Sequence, residues 1–273
     1  MRRLGTIALL LPALLLLLLI FLLPLARLFL LSFSSDEGTF STYAHLLGDE
    51  VYLRVFANTL IIAVSTTVIS LVVSYPLAMT LARISPNWRA LLFGCILLPL
   101  WISVLVRTFS WLLLLERNGP INRLLVESGL SPLDILFTPS AVVIGMVHVL
   151  MPYAILPIYA SLVRIDPALL RASDGLGASR FMTFSRILFP LSARGVVTAA
   201  TFVFLLSLGF FVTPAILGGA KSINLAMLID SFVSEQLVWP LAAAASMILL
   251  ASCLAVLALA SRFVPVSRLV ETP

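Results

Sequence analysis

Arg107 and Trp111 stand four residues apart in VLVRTFSWLLLL, an apolar run that gives a guanidinium no ordinary surroundings. An unpaired charge at bilayer depth costs at least about 2.5–3.5 kcal/mol on insertion scales, so Arg107 is expected to face protein or water. One reading sets it beside a path through the membrane, with Trp111 as an aromatic wall. The other pairs it with a helix-end carbonyl or a carboxylate such as Glu116, where it only orients the helices around it. Other reactive residue types are thinly spread. His45 and His148 are too isolated for a metal or catalytic pair, and read as a loop residue and a polar packing contact. Cys95 and Cys253 each lie in an apolar run, where a thiol acts as a small hydrophobe, so neither a disulfide nor a metal site is expected. GGAKS at 218–222 has the look of a phosphate loop, but Ala220 precedes the lysine and the Gly-x4-Gly-Lys-Ser/Thr spacing fails. No catalytic residue and no nucleotide site are expected in this chain.

The elements that must position these side chains are membrane helices. Of 273 residues, 61% are hydrophobic and 11% charged, where soluble domains carry about 25% charged residues. A bilayer span needs about 20 apolar residues and must satisfy its backbone internally, which makes helices the expected form. Six apolar segments have that character, at roughly 5–32, 56–82, 91–115, 139–163, 190–217 and 240–261. The fold class is therefore all-α, a polytopic protein with six transmembrane helices. The first segment follows Arg2 and Arg3 like a signal peptide, yet its apolar run far exceeds a signal h-region, and it is read as a retained span. Pro76, Pro99, Pro152, Pro157 and Pro214 interrupt spans, as broken helices at transport sites do and simple kinks also do. The net charge of +5 is scattered singly along the chain, without the basic run or stripe that nucleic acid requires.

Sidedness follows from the positive charges. With the N-terminus cytoplasmic, one side collects Arg2, Arg3, Arg83, Arg89, Arg164, Arg171, Arg180, Arg186, Arg194, Arg262 and Arg268 against only Asp166, Asp174 and Glu271. Both termini are then inside, and so is the long polar connection 164–189. Within it, Asp166-Pro167 is a helix start, because the aspartate caps free amides and proline is preorganised for the first turn. Residues 167–174 make about two turns that Gly175 and Gly177 can end, and Ser179 can cap a second short helix. The expected result is a helix, a sharp turn and another helix outside the membrane. Physics alone leaves an interfacial amphipathic segment equally open, with Leu169, Leu170, Leu176, Phe181 and Phe184 among headgroups.

DPALLRASDGLGASRFMTFSRILFPLSARG resembles the Glu-Ala-Ala loop of binding-protein-dependent ABC importer permeases of type I. Ala172 matches the middle of that triplet, Leu176-Gly177-Ala178 its Leu-Gly-Ala core, and Ile187 to Pro190 its exit. Arg171 and Ser173 stand where the family has glutamate and alanine. Further stretches, NTLIIAVSTTVISLVVSYPLAMTLAR, LPLWISVLVRTFSWLLLL, GPINRLL, MPYAILPIYASL and FVTPAILGG, are similar to the permease subunit of spermidine/putrescine-type importers, over most of residues 55–245.

The resemblance implies a permease domain over 55–262 that includes the coupling loop 164–189. It follows an N-terminal span and first outer loop at 1–54 and precedes a cytoplasmic tail at 263–273. It implies that Arg171, Ala172, Ser173, Asp174, Leu176, Gly177 and Ala178 couple to an ATPase. The partners would be a cytoplasmic ABC ATPase dimer carrying ATP and Mg, a second homologous permease, and a periplasmic substrate-binding protein. The expected location is the bacterial inner membrane. A polyamine cation would seek carboxylates and aromatic faces. That makes Asp230 and Glu235 the best-placed acids, unless they are solvated loop residues, with Tyr75, Phe210, Phe211 and Trp239 as walls. Arg107 fits such a cargo poorly, which favours its structural reading. Amino-acid-like compounds, opines and phosphonates are the alternative solutes. A lipid-active enzyme would need clustered acids or histidines at membrane depth, and an ATP-independent secondary transporter usually needs intramembrane carboxylates; the sequence offers neither.

Overall fold

The computed structural model describes residues 2–34 and 38–263, so all of the expected tail beyond Phe263 lies outside the described residues. Every regular element in the described chain is helical. In order these are α1 (Arg2–Leu31), α2 (Ser41–Gly48), α3 (Glu50–Arg83), α4 (Pro86–Leu97), α5 (Val104–Leu115), α6 (Pro120–Glu127) and α7 (Pro139–Leu162). There follow α8 (Pro167–Gly175), α9 (Arg180–Thr183), α10 (Phe189–Leu208), α11 (Val212–Leu217), α12 (Leu225–Ser234) and α13 (Trp239–Phe263).

Four helices are long and apolar enough to cross a membrane unbroken: Glu50–Arg83, Pro139–Leu162, Arg180–Leu208 and Trp239–Arg262. The expected third span is instead broken. Pro86–Trp101 and Val104–Glu127 meet at a 100° bend. Pro99 lies in a 3-10 turn, Leu98–Trp101, and Ile102 and Ser103 then leave helical backbone, with ψ near 135° and 136°. Proline removes one helical donor, and the tightened turn lets β-branched Ile102 adopt the extended conformation it favours. The expected fifth span, 190–217, is shifted: the crossing helix runs Arg180–Leu208, and after Gly209 the chain restarts as the short α11. With the bent pair, the spans number up to five; α1 supplies the remaining candidate, its described apolar stretch being Leu15–Leu31.

The chain divides into two compact units. One joins the chain up to Arg54 to Leu228–Ala251; the other comprises Val55–Met227 and takes up the chain again from Ser252. In the first, Phe232 and Leu46 are fully buried, and Tyr52 meets Phe232 edge-on at 5.8 Å and His45 at 5.5 Å. His45 is thus an α2 residue against an aromatic ring and not a loop residue.

The second unit is built around α7, from which Ala141, Met146, Leu150, Ala154, Ile155 and Ile158 are sealed from solvent. Its principal neighbour is α10. Their approach is close because Gly195 has no side chain: a Cβ there would lie 2.6 Å from the Pro157 carbonyl oxygen and run into Ser161. Small residues at such crossings let dispersion and hydrogen bonding replace a hydrophobic driving force that lipid does not supply.

Candidate functional site

The polar connection after α7 folds into a hairpin. Asp166 caps α8, its Oδ1 accepting from the Ala168 amide at 2.8 Å, with Pro167 at the first helical position. At the far end the amides of Leu176, Gly177 and Ala178 donate to the carbonyls of Ala172, Asp174 and Ser173. Gly177 has φ +72°, a left-handed conformation that glycine adopts without the Cβ penalty. Gly175, expected to share that task, is the last residue of α8 instead. Ser179 then caps α9, accepting from Met182 N at 3.2 Å.

The turn is closed from within. Ser173 is buried and its hydroxyl meets that of Thr183 at 2.8 Å, tying α8 to α9. Of the seven residues expected to couple, Ser173 therefore braces the hairpin, while Arg171, Ala172, Asp174, Leu176 and Gly177 are exposed and Ala178 is half-buried. Leu176 is 88% exposed and Phe181 77%, so the hairpin tip offers apolar side chains on a rigid frame. The second short helix is not free-standing. It runs through a π-helical turn, Phe184–Leu188, in which Phe189 N reaches back to Phe184 O, directly into α10. Pro190 explains the turn, since its ring would collide with the Arg186 carbonyl in a regular α-helix.

Arg107 lies on α5 and is 7% exposed; its Nε and Nη1 are buried with no hydrogen-bond partner. Neither a helix-end carbonyl nor Glu116 bonds these atoms. One turn on, Trp111 meets the His148 ring of α7 edge-on at 5.7 Å, and His148 Nδ1 is likewise buried and unbonded. The packing contact of His148 is thus with the Trp111 ring. Thr108 joins α5 to α11 through Thr213, their hydroxyls 3.1 Å apart.

The other expected path residues are engaged elsewhere. Tyr75, on α3, bonds the Ser192 hydroxyl of α10 at 2.8 Å and lies edge-on to Phe184 at 5.4 Å. Phe210 is half-buried in the link between α10 and α11, and its carbonyl accepts from Asn224 Nδ2 at 2.7 Å. Asp230 and Glu235 belong to the other unit, are exposed, and accept from Ser234 and Ser231 within the same helix end.

Two asparagines went unremarked in the sequence. Asn122 is 2% exposed and holds the loop after α5, donating to the Glu116 and Leu133 carbonyls at 3.0 Å and accepting from Leu133 N at 2.7 Å. Asn224 caps α12 through Met227 N at 3.0 Å while gripping Phe210. The available signal was their placement: one inside the GPINRLL stretch, the other shortly after FVTPAILGG, both already quoted for their resemblance.

Comparison with known proteins accords with this geometry. Residues 74–268 match the family described as binding-protein-dependent transport system inner membrane component. The spermidine/putrescine transport system permease protein PotB of Escherichia coli (strain K12) is 35% identical over 224 residues, 80% of each chain. PotB of Salmonella typhimurium (strain LT2) is 36% identical over 224 residues, covering 80% of this chain and 76% of the relative. The molybdenum transport system permease protein ModB of Azotobacter vinelandii is 31% identical over 161 residues, covering 59% and 70%. Among solved structures, a chain of a bacterial ABC transporter that imports the acidic polysaccharide alginate superposes with a TM-score of 0.82 at 19% identity. That match covers 99% of this chain and 97% of the other. A bacterial alginate ABC transporter in complex with an alginate pentasaccharide-bound periplasmic protein gives a TM-score of 0.82 at 18% identity, covering 99% and 96%. With a family match over most of its length, an all-helical membrane fold and a capped hairpin between its spans, this chain belongs to the binding-protein-dependent transport system inner membrane components, as an ABC importer permease.

Proposed function

We propose that this permease imports a polyamine of the spermidine/putrescine class, delivered by a periplasmic binding protein and driven by ATP hydrolysis on a cytoplasmic partner. The observation that supports the solute class is the likeness to PotB over 80% of the chain. Residues 55–262 form the transport domain. A second permease of like fold completes the path, and an ABC ATPase dimer holds ATP and Mg. Both termini face the cytoplasm, which puts the α8–α9 hairpin on the ATPase side.

In this reading Leu176, with Ala172, Asp174 and Arg171 beside it, docks on the ATPase. Gly177 and the Ser173–Thr183 bond keep the docking surface rigid, so that closure of the ATPases moves α10 instead of bending the hairpin. Arg107 and Trp111 line the path near α7, and Phe210 supplies a further aromatic face for a polycation.

A second reading has one observation behind it. The unbonded Nε and Nη1 of Arg107 would suit a solute with a carboxylate or phosphonate, which repays the desolvation of a buried cation. One experiment separates the two. Cells lacking their own polyamine uptake, expressing the complete transporter, are given labelled spermidine. Saturable uptake that putrescine suppresses, and glutamate or a phosphonate does not, is expected. No uptake of either polyamine, with uptake of an anionic amino-acid-like solute, overturns the polyamine assignment.

A further inference from the structure

We propose that the groove between the C-terminal half of α3 and the α9–α10 helix is a binding site for one anionic phospholipid. Its phosphate lies against Arg83 and Arg180, and an acyl chain runs up the apolar wall. At the hairpin end, a cavity of about 690 Å³ is lined by Arg83, Arg180 and Asp174 together with Met79, Phe181 and Phe184. A second cavity of about 490 Å³ continues from it, since Met79 and Phe184 border both. Its walls include Val68, Val72, Pro76, Phe189 and Val196. Tyr75 also borders it, but the phenol hydroxyl is engaged by Ser192, 2.8 Å away.

Charge favours an anion at the mouth. Among the described residues the one ion pair is Arg54–Glu50, so Asp174 forms none with Arg83 or Arg180, and two guanidinium groups against one carboxylate leave the lining positive. Basic pockets between spans are where anionic headgroups bind. The length of the groove then selects a lipid over a free phosphate. From Met79 to Val68 α3 rises about 16 Å, which matches the roughly 15 Å of one leaflet's hydrocarbon. Arg83 lies one turn beyond Met79, at headgroup level. On the opposite wall, Phe184 to Val196 spans a similar distance. Val72 is 67% exposed, so the groove is open along its side, as a diffusing lipid requires.

The site depends on α3 lying in the membrane and not on which solute is carried, so a failed spermidine assay leaves it standing. The test is native mass spectrometry of the assembled transporter, delipidated in neutral detergent and titrated with phosphatidylglycerol or phosphatidylcholine of identical chains. One phosphatidylglycerol should persist where phosphatidylcholine is stripped. The paired Arg83→Ala and Arg180→Ala variant should lower its occupancy about tenfold, equivalent to 1.4 kcal/mol, and Val72→Trp should block it by filling the groove. Arg194→Ala, outside the lining, should leave it unchanged. Equal retention of both lipids, or a paired-arginine variant that binds like the parent, overturns the proposal. So does full displacement by millimolar inorganic phosphate, which means a phosphate site without a tail. Quantitative cross-linking of Val72→Cys to the second permease also overturns it, by showing the groove covered with protein.

Discussion

A buried guanidinium whose Nε and Nη1 find no partner is costly, and its cost has a sign that can be measured. Arg107→Met keeps the length of the side chain and removes the charge, so the purified protein should melt at a higher temperature while uptake falls. A lower melting temperature would show that Arg107 is satisfied and structural. Gly177 makes the opposite kind of demand. Valine at φ +72° costs about 1–2 kcal/mol in backbone strain, and nothing around the glycine crowds a side chain. Gly177→Val should therefore insert and assemble, distort only the hairpin, and let ATP be hydrolysed without uptake. Normal uptake in reconstituted vesicles would remove the hairpin from the coupling role.

At the level of elements, the parts legible in the sequence were those with local chemistry. Asp166-Pro167 and Ser179 announced two helix starts, and the structure has both side-chain caps. The lengths of α7 and α13 followed from unbroken apolar runs. What escaped were departures that depend on relief of strain or on distant partners. The bend at Ile102 and Ser103 lies inside the apolar stretch 91–115, with no charged residue beside it to mark it. The π-helical turn is set by a proline two residues beyond it. Asn122 looked like an ordinary polar residue after Pro120, because its partners, Glu116 and Leu133, lie on either side of the element that carries it. Removing that side chain breaks three part-buried hydrogen bonds, at about 1 kcal/mol each. Asn122→Ala should lower the melting temperature by several degrees and raise proteolysis at 116–133. An unchanged melting curve would mean that water replaces all three bonds.

For the whole molecule, sidedness makes the clearest demand. With Cys95 and Cys253 replaced by serine, Ala172→Cys should react with a membrane-impermeant maleimide only after cells are opened, and Arg117→Cys in intact spheroplasts. Reversed labelling would turn the molecule over and put the hairpin out of reach of any cytoplasmic ATPase. If the sidedness holds, the unbroken run from Arg180 to Leu208 takes on a different meaning. Its 29 residues form a rod about 43 Å long, close against α7 where Gly195 meets Pro157 and Ser161. That crossing lies about 22 Å from one end and about 20 Å from the other. If the hairpin couples as proposed, a rod turning about that close approach would carry a push at the hairpin to the far side of Leu208 with nearly the same size and the opposite direction.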